Sequence, residues 1–337
     1  MPKEYIKNPR KEWLDMSSDN RKVVLIGTGM VGMSYAYAML NKNTCDELVL
    51  IDKDTKKAEG EAMDLNHGLA FSGGNMKIYA GDYSDCADAD IAVICAGAAQ
   101  KEGETRLDLL ERNTVIFRSV IENLVKSGFD GIMLIATNPV DVMTRVTYEL
   151  SGFDHRRVIG TGTTLDTARL RYLVGEYFGV DPRNIHAYVM GEHGDSEFVP
   201  RSQALVATKP ILSIIDEHPD KFSIDDLVEI SGNVRLAAGK IIEAKKATYY
   251  GIGMSLNRIT EAILGDERSI LTVSARLCGE YGRDGVFAGV PCVVGREGVK
   301  RVVRLNLTDE EIRKLQNSCD ILDRSFEKLG LTKQYSR

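Results

Sequence analysis

Short, nearly continuous apolar runs alternate with longer segments of helical spacing from residue 21 to about 160. The runs are Val23–Ile26, Leu48–Ile51, Ile91–Ala96 and Ile132–Ala136, with weaker ones near Ile78 and Val158. Parallel strands covered on both faces read this way. Between them, Leu107, Leu110, Thr114, Phe117, Ile121 and Leu124 recur at three- and four-residue steps and stop before Gly128, the pattern of an amphipathic helix with a glycine stop. The alternation predicts a right-handed, doubly wound α/β domain of the Rossmann type.

The second half has a different rhythm and predicts an α+β domain. A helix is expected over residues 164–178, with Leu170, Leu173, Val174, Tyr177 and Phe178 on its buried stripe. The turn Asp181–Asn184 and an alternating strand over Ile185–Met190 follow. Helical patterns return at about 225–264, and two or three alternating runs at about 268–305 suggest antiparallel strands. Thr308 and Glu311 have capping-box spacing, and the face marked by Ile312, Leu315, Cys319, Leu322, Phe326 and Leu329 ends at Gly330. The change of pattern near 160 divides the chain into 21–160 and 161–332. Residues 1–20 are polar, hold Pro2, Pro9 and the single tryptophan, Trp13, and read as an arm outside the main fold.

The uncharged stretch from Val23 to Leu40 follows Arg21 and Lys22 and has the length of a membrane or signal segment. Gly27, Gly29 and Gly32 interrupt it at G-x-G-x-x-G spacing, which strand, glycine turn and helix explain and a span does not. The glycines allow a tight turn, a backbone approach to a pyrophosphate and close helix–strand packing, with the helix N-terminus facing the phosphates. Asp52, twenty residues beyond Gly32 at the end of the next run, is placed to accept hydrogen bonds from an adenosine ribose. A 2′-phosphate there would meet a like charge, so NAD is expected rather than NADP.

Composition narrows the partners. The 337 residues are 43% hydrophobic and 27% charged, as in an ordinary globular protein. With 43 Lys and Arg against 49 Asp and Glu the net charge is −6, so no domain-wide basic surface is available for nucleic acid. The six cysteines form no CxxC pair and have no histidine at zinc-finger spacing. No metal is expected, and reduced thiols in a cytoplasm are the simplest reading.

Four segments supply what hydride transfer to a 2-oxo acid requires. They are Ala96–Arg106, Thr137–Asp141, Leu165–Arg169 and Gly191–Asp195. Arg169 offers a bidentate fork for a carboxylate. Arg106 can polarise a carbonyl whose oxygen gains negative charge, and His193 can donate the proton. Asp166 is the candidate to hold the imidazole tautomer and favour its charged form, and with Arg169 three residues on, one helix face presents both.

These segments, together with Gly27–Gly32 and Met63–His67, resemble the L-lactate dehydrogenase branch of the lactate/malate dehydrogenase family over residues 21–330. The resemblance implies that His193 is the acid/base, Asp166 its partner, Arg169 the carboxylate anchor and Arg106 a polarising group on a closing lid. Asn138 would bond substrate near the nicotinamide. It also implies that Val31, Asp52, Lys57, Tyr83, Gly97, Ala98, Ser119, Asn138 and Thr161 line the NAD site, and that the chain assembles as a homotetramer.

The branch rests largely on Gln100, six residues before Arg106. Malate dehydrogenases of the family typically carry an arginine there, which pairs with the second carboxylate of oxaloacetate. A neutral glutamine leaves that carboxylate unpaired, at a cost of several kcal/mol in a dry site, whereas the methyl group of pyruvate bears no such cost. Thr248 matches the small pocket residue of the lactate branch. Malate, bulkier 2-hydroxy acids of the isocaproate type and a non-catalytic NAD-binding redox sensor are the alternatives. Arg171 lies about 200° around the helix from Arg169, and His186 alternates with apolar neighbours. By resemblance to bacterial relatives these two would bind fructose 1,6-bisphosphate across a subunit interface.

Overall fold

The computed structural model describes residues 20–98 and 106–331. The arm over 1–19 and the segment 99–105, with Gln100, lie outside the described residues, as does the side chain of Arg106. In chain order the elements around the first sheet are β1 (Lys22–Ile26), α1 (Met30–Lys42), β2 (Glu47–Ile51), α2 (Thr55–Gly68), β3 (Lys77–Ala80), β4 (Ile91–Ile94), α3 (Arg106–Lys126), β5 (Ile132–Ile135), α4 (Val140–Ser151) and β6 (Val158–Gly160). All six strands are parallel, in the order β3-β2-β1-β4-β5-β6. This is the doubly wound order, and the crevice beyond the carboxyl ends of β1 and β4 is where such sheets bind ligands. Strands β1, β2, β4 and β5 are buried at every position, as their unbroken apolar runs require.

The rest of the chain contains α5 (Thr164–Phe178), β7 (Ile185–His186), β8 (Leu205–Val206), β9 (Lys209–Pro210), α6 (Ile211–Glu217), α7 (Ile224–Lys245), α8 (Tyr250–Leu264), β10 (Ser269–Cys278), β11 (Asp284–Gly295), β12 (Gly298–Val302) and α9 (Asp309–Glu327). Strands β10, β11 and β12 are antiparallel and extend the first sheet, with Ser274 opposite Gly160 of β6. One nine-stranded sheet therefore runs through both halves, a continuity that the change of sequence pattern does not reveal. A second apolar cluster, including Leu170, Val174, Ile185, Val189, Ile211, Leu227 and Val234, joins α5, α6 and α7 around the short strands.

The strand expected over Ile185–Met190 is corrected. Only Ile185 and His186 are ladder-paired, with Val206 and Leu205, and Met190 pairs in an isolated bridge with Phe198. Alternation persists between them because Ala187 and Val189 are buried, but their backbone bonds elsewhere: Val189 donates to Thr167 Oγ1 at 2.9 Å and accepts from Thr163 Oγ1 at 2.6 Å. Helix α9 begins with the reciprocal cap read from the sequence. Thr308 accepts from the Glu311 N–H at 3.3 Å, and Glu311 accepts from the Thr308 N–H at 2.9 Å. No helix among the described residues is long and apolar enough to cross a membrane.

Candidate active site

At the glycine turn, Gly27 takes φ +104° and donates its N–H to Ile51 O at 2.8 Å. A Cβ on Gly32 would lie 2.1 Å from Gly27 O, so only glycine lets α1 start this close to β1. The N-cap of α1 is Gly29, which offers no side chain to the first-turn N–H groups and has open space around it. Asp52 accepts from the Thr28 N–H at 2.8 Å, Thr28 Oγ1 at 2.9 Å and the Asp54 N–H at 3.1 Å. Burial works against its charge, yet these bonds and Lys57 hold the carboxyl below its ordinary range. A carboxylate has about four acceptor sites, so capacity remains for a ribose hydroxyl. Uncapped amides and an ionised strand-end carboxylate fit the pyrophosphate and adenosine ribose of a dinucleotide.

The other expected cofactor residues, Ser119 apart, follow strands or begin helices at the same end of the sheet. Val31 is half-buried in α1, Lys57 is exposed in the first turn of α2, Tyr83 is half-buried after β3, and Thr161 is buried after β6. Gly97 and Ala98 leave β4, and the Ala98 N–H donates to Asn113 Oδ1 at 2.8 Å. Ser119 is exposed on α3, where its carbonyl accepts from Asn123.

The centre of the site is a three-residue relay. Asp166 is 2% exposed in the first turn of α5. Its Oδ2 lies 2.6 Å from His193 Nδ1, and its Oδ1 accepts from Arg169 Nη1 at 2.6 Å. Burial opposes ionisation of Asp166, but His193 and Arg169 outweigh it and hold the carboxyl below its ordinary range. Burial likewise opposes the imidazolium. The charge and hydrogen bond of Asp166, reinforced by Asp141 and Glu197, overcome that and hold His193 up at about 9. Because Nδ1 faces Asp166, Nε2 is the edge left to exchange a proton. Arg169 spends one of its five N–H donors on Asp166, and no other hydrogen-bond acceptor among the described residues takes the rest.

Asn138, Pro139, Glu192, His193 and Gly194 line a cavity of about 400 Å³, with Leu107 and Leu110 from α3 and Ser325 and Lys328 from the C-terminal end of the chain. The start of α3, where Arg106 stands, is therefore at the cavity's edge. Thr248, half-buried between α7 and α8, does not line it. Arg171 points elsewhere: its Nε donates to Ala187 O at 3.2 Å and its guanidinium lies 5.4 Å from the Tyr188 ring centroid, while His186 is exposed.

Three buried residues of the site have no role legible in the sequence, although Asp141 closes one of the four segments named above. Asn113, 1% exposed on α3, also donates to Asn138 O at 3.0 Å and so links the loops after β4 and β5. A lone polar residue beside Leu110, Thr114 and Phe117 on an apolar stripe is the signal that could have found it. Asp141, 2% exposed, accepts the His193 backbone N–H at 2.8 Å and so fixes the turn that carries the ring. Burial pushes its carboxyl up to about 6. Glu197, 8% exposed, stands beside the His193–Asp166 pair.

Known proteins match this chain over nearly its whole length. Residues 21–160 match the lactate/malate dehydrogenase NAD-binding domain, and residues 163–331 match the lactate/malate dehydrogenase alpha/beta C-terminal domain. The chain is 53% identical over 307 residues to L-lactate dehydrogenase 2 of Bacillus cereus, covering 91% of this chain and 98% of that protein. It is 51% identical over 309 residues to L-lactate dehydrogenase of Geobacillus stearothermophilus, covering 90% and 97%. Among solved structures, MGS-M5, a lactate dehydrogenase from a Medee basin deep-sea metagenome library, superposes with a TM-score of 0.90 at 54% identity, over 92% of this chain and 99% of that one. The ligand-bound minor L-lactate dehydrogenase of Enterococcus mundtii gives 0.91 at 45% identity, over 93% and 100%. With both domains matched, the chain belongs to the lactate/malate dehydrogenase family and is an NAD-dependent dehydrogenase.

Proposed function

We propose that the enzyme is an L-lactate dehydrogenase, reversibly reducing pyruvate to L-lactate with NADH. The observation that carries this reading is Asp166 bonded at 2.6 Å to both His193 and Arg169, which couples a proton donor to a carboxylate anchor. Bound NADH supplies the hydride. Arg169 pairs with the substrate carboxylate, His193 gives its Nε2 proton to the carbonyl oxygen, and Asp166 keeps the ring oriented and charged until then. Arg106 polarises the carbonyl, and Asn138 bonds the substrate beside the nicotinamide. Val31, Asp52, Lys57, Tyr83, Gly97, Ala98, Ser119 and Thr161 complete the cofactor site. Gln100 and Thr248 favour a small neutral group on the substrate over a second carboxylate. Residues 21–160 serve the cofactor and 161–332 the substrate.

Regulation belongs to the same reading. Arg171 bonds to the Ala187 carbonyl rather than to the active-site relay, and His186, next in the chain to Ala187, is exposed, which suits a cationic site for the phosphates of fructose 1,6-bisphosphate between subunits of a cytoplasmic homotetramer. Binding there favours the assembled, high-affinity form. The test is NADH oxidation with pyruvate and with oxaloacetate, each with and without the sugar bisphosphate. Faster turnover of pyruvate, improved by the bisphosphate, is expected. A preference for oxaloacetate refutes the role given to Gln100, and a pyruvate KM indifferent to the bisphosphate at every protein concentration refutes that given to Arg171 and His186.

A further inference from the structure

We propose that Glu197 is a positioning residue for the acid–base pair: a buried carboxyl that keeps its proton, and keeps it more firmly once the substrate carboxylate binds, so that Asp166 serves one guanidinium and one imidazolium and meets no second anion. The proposal deepens the function proposed above and rests on it. Glu197 belongs to the turn that follows His193, where its N–H donates to Gly194 O at 3.2 Å. Its side chain is 8% exposed. One oxygen of Glu197, one of Asp166 and a ring nitrogen of His193 all lie within 4.8 Å of one another.

Charge arithmetic gives the carboxyl its role. With substrate bound, Arg169 and the imidazolium balance Asp166 and the substrate carboxylate. An ionised Glu197 would add an uncompensated charge out of water, which is costly. Without substrate one anion fewer faces the same two cations, so ionising Glu197 costs less than it does in the complex. Substrate binding and protonation of Glu197 therefore promote each other, and by linkage each does so to the same extent.

The surroundings agree. Asp166 and Arg169 face Glu197 from α5, His193 from its own turn and Arg235 from α7. Glu197 also borders a cavity of about 320 Å³ whose lining includes Asp195, Arg201, Arg235 and Lys314 and shares no residue with the cavity at His193. That opening lets its proton exchange without passing the substrate. Burial first, then the charge of Asp166, pushes the carboxyl up to about 8, so the exchange falls within the range where His193 still holds its own proton.

The experiment is the pH dependence of kcat/KM for pyruvate in wild type and in Glu197→Gln. On the alkaline side two protons are lost in wild type, one from Glu197 and one from His193, so the logarithm falls with a limiting slope greater than one. Glu197→Gln leaves one proton and a slope of one, and Glu197→Asp restores the steeper fall. Superimposable profiles, or a uniform drop at every pH, overturn the proposal. Infrared spectroscopy of the wild type needs neither turnover nor a folded variant. A protonated-carboxyl band that persists at about pH 7.5 and disappears on titration through about pH 8 is expected. Absence of that band overturns the proposal, whereas its presence without pyruvate turnover implicates the functional reading instead.

Discussion

Asn113 donates from Nδ2 to the carbonyl oxygen of Asn138 at 3.0 Å, while its Oδ1 accepts the Ala98 N–H at 2.8 Å. One side chain on α3 thus sets the spacing of the two loops that leave β4 and β5, between which a nicotinamide would have to fit. Because Asn113 is buried, its loss leaves both backbone partners without a bond, at about 1–3 kcal/mol for each unsatisfied group. Asn113→Leu is expected to lower stability by about 2 kcal/mol and to weaken NADH binding several-fold. Urea denaturation and a fluorescence titration with NADH measure the two effects. Wild-type NADH affinity in the variant would falsify the spacing role.

Arg169 should not tolerate lysine. The guanidinium reaches Asp166 at 2.6 Å from Nη1 and still has further N–H donors for a substrate carboxylate, whereas an ammonium is a single point charge. One lost charge-assisted bond corresponds to about 1.5–3 kcal/mol, so Arg169→Lys is expected to lower kcat/KM for pyruvate by about ten- to a hundredfold. The loss should fall mostly on KM, with NADH affinity retained. An unchanged KM would mean that the carboxylate is held elsewhere.

Much of this was legible in the sequence because it depends on short-range spacing. The glycine turn lies between a strand and a helix, so Gly27, Gly32 and Asp52 could be placed from order alone. Asp166 and Arg169 are one helical turn apart, and their ion pair follows from that spacing. Pairings over long separations left weaker traces. Asp141 supports the His193 turn from 52 positions away, and Ser274 of β10 joins Gly160 of β6 across an even longer stretch of chain. Neither has a local periodicity that names its partner. The strand expected over Ile185–Met190 shows the converse case, in which alternating burial continued after the ladder had ended.

Gln100 carries the choice of substrate. Gln100→Arg supplies a cation for a second carboxylate and is expected to shift the ratio of kcat/KM from pyruvate toward oxaloacetate. Pairing an otherwise unpaired carboxylate in a site closed from water is worth several kcal/mol, so the ratio should move by about a hundredfold or more. Parallel initial rates with the two substrates decide it. A ratio that stays within about threefold of wild type would place Gln100 outside the substrate's reach.

Asp166→Asn removes the charge that sustains the imidazolium. Burial then acts on His193 with less opposition, and the ring loses its proton at lower pH. In the wild type, pyruvate reduction needs the charged ring and should fall most steeply as pH passes about 9, while lactate oxidation needs the neutral ring and should rise toward the same pH. The variant's reductive profile is expected to turn down at least one pH unit lower, with kcat/KM at neutral pH reduced by about a hundredfold or more. Identical alkaline limbs in the two proteins would show that Asp166 does not set the ring's charge.

The same proton contributes to stability. His193 is held at about 9 in the folded chain, against an ordinary value of about 6.5 for an exposed ring. The folded state therefore binds more protons than the unfolded state between those values. The contribution is present in full below about pH 6.5 and is lost as the pH rises through about 9. A tenfold difference in proton affinity between the two states corresponds to about 1.4 kcal/mol, and the His193 side chain is 25% exposed, so screening leaves a contribution of about 2 kcal/mol. His193→Asn lacks this proton. Its urea-unfolding free energy should decline less than that of the wild type between about pH 6.5 and 9, with the gap between the two proteins narrowing as pH rises. Parallel curves across that interval would mean that the unfolded chain holds the proton equally well, and that Asp166 orients the ring without stabilising its charge.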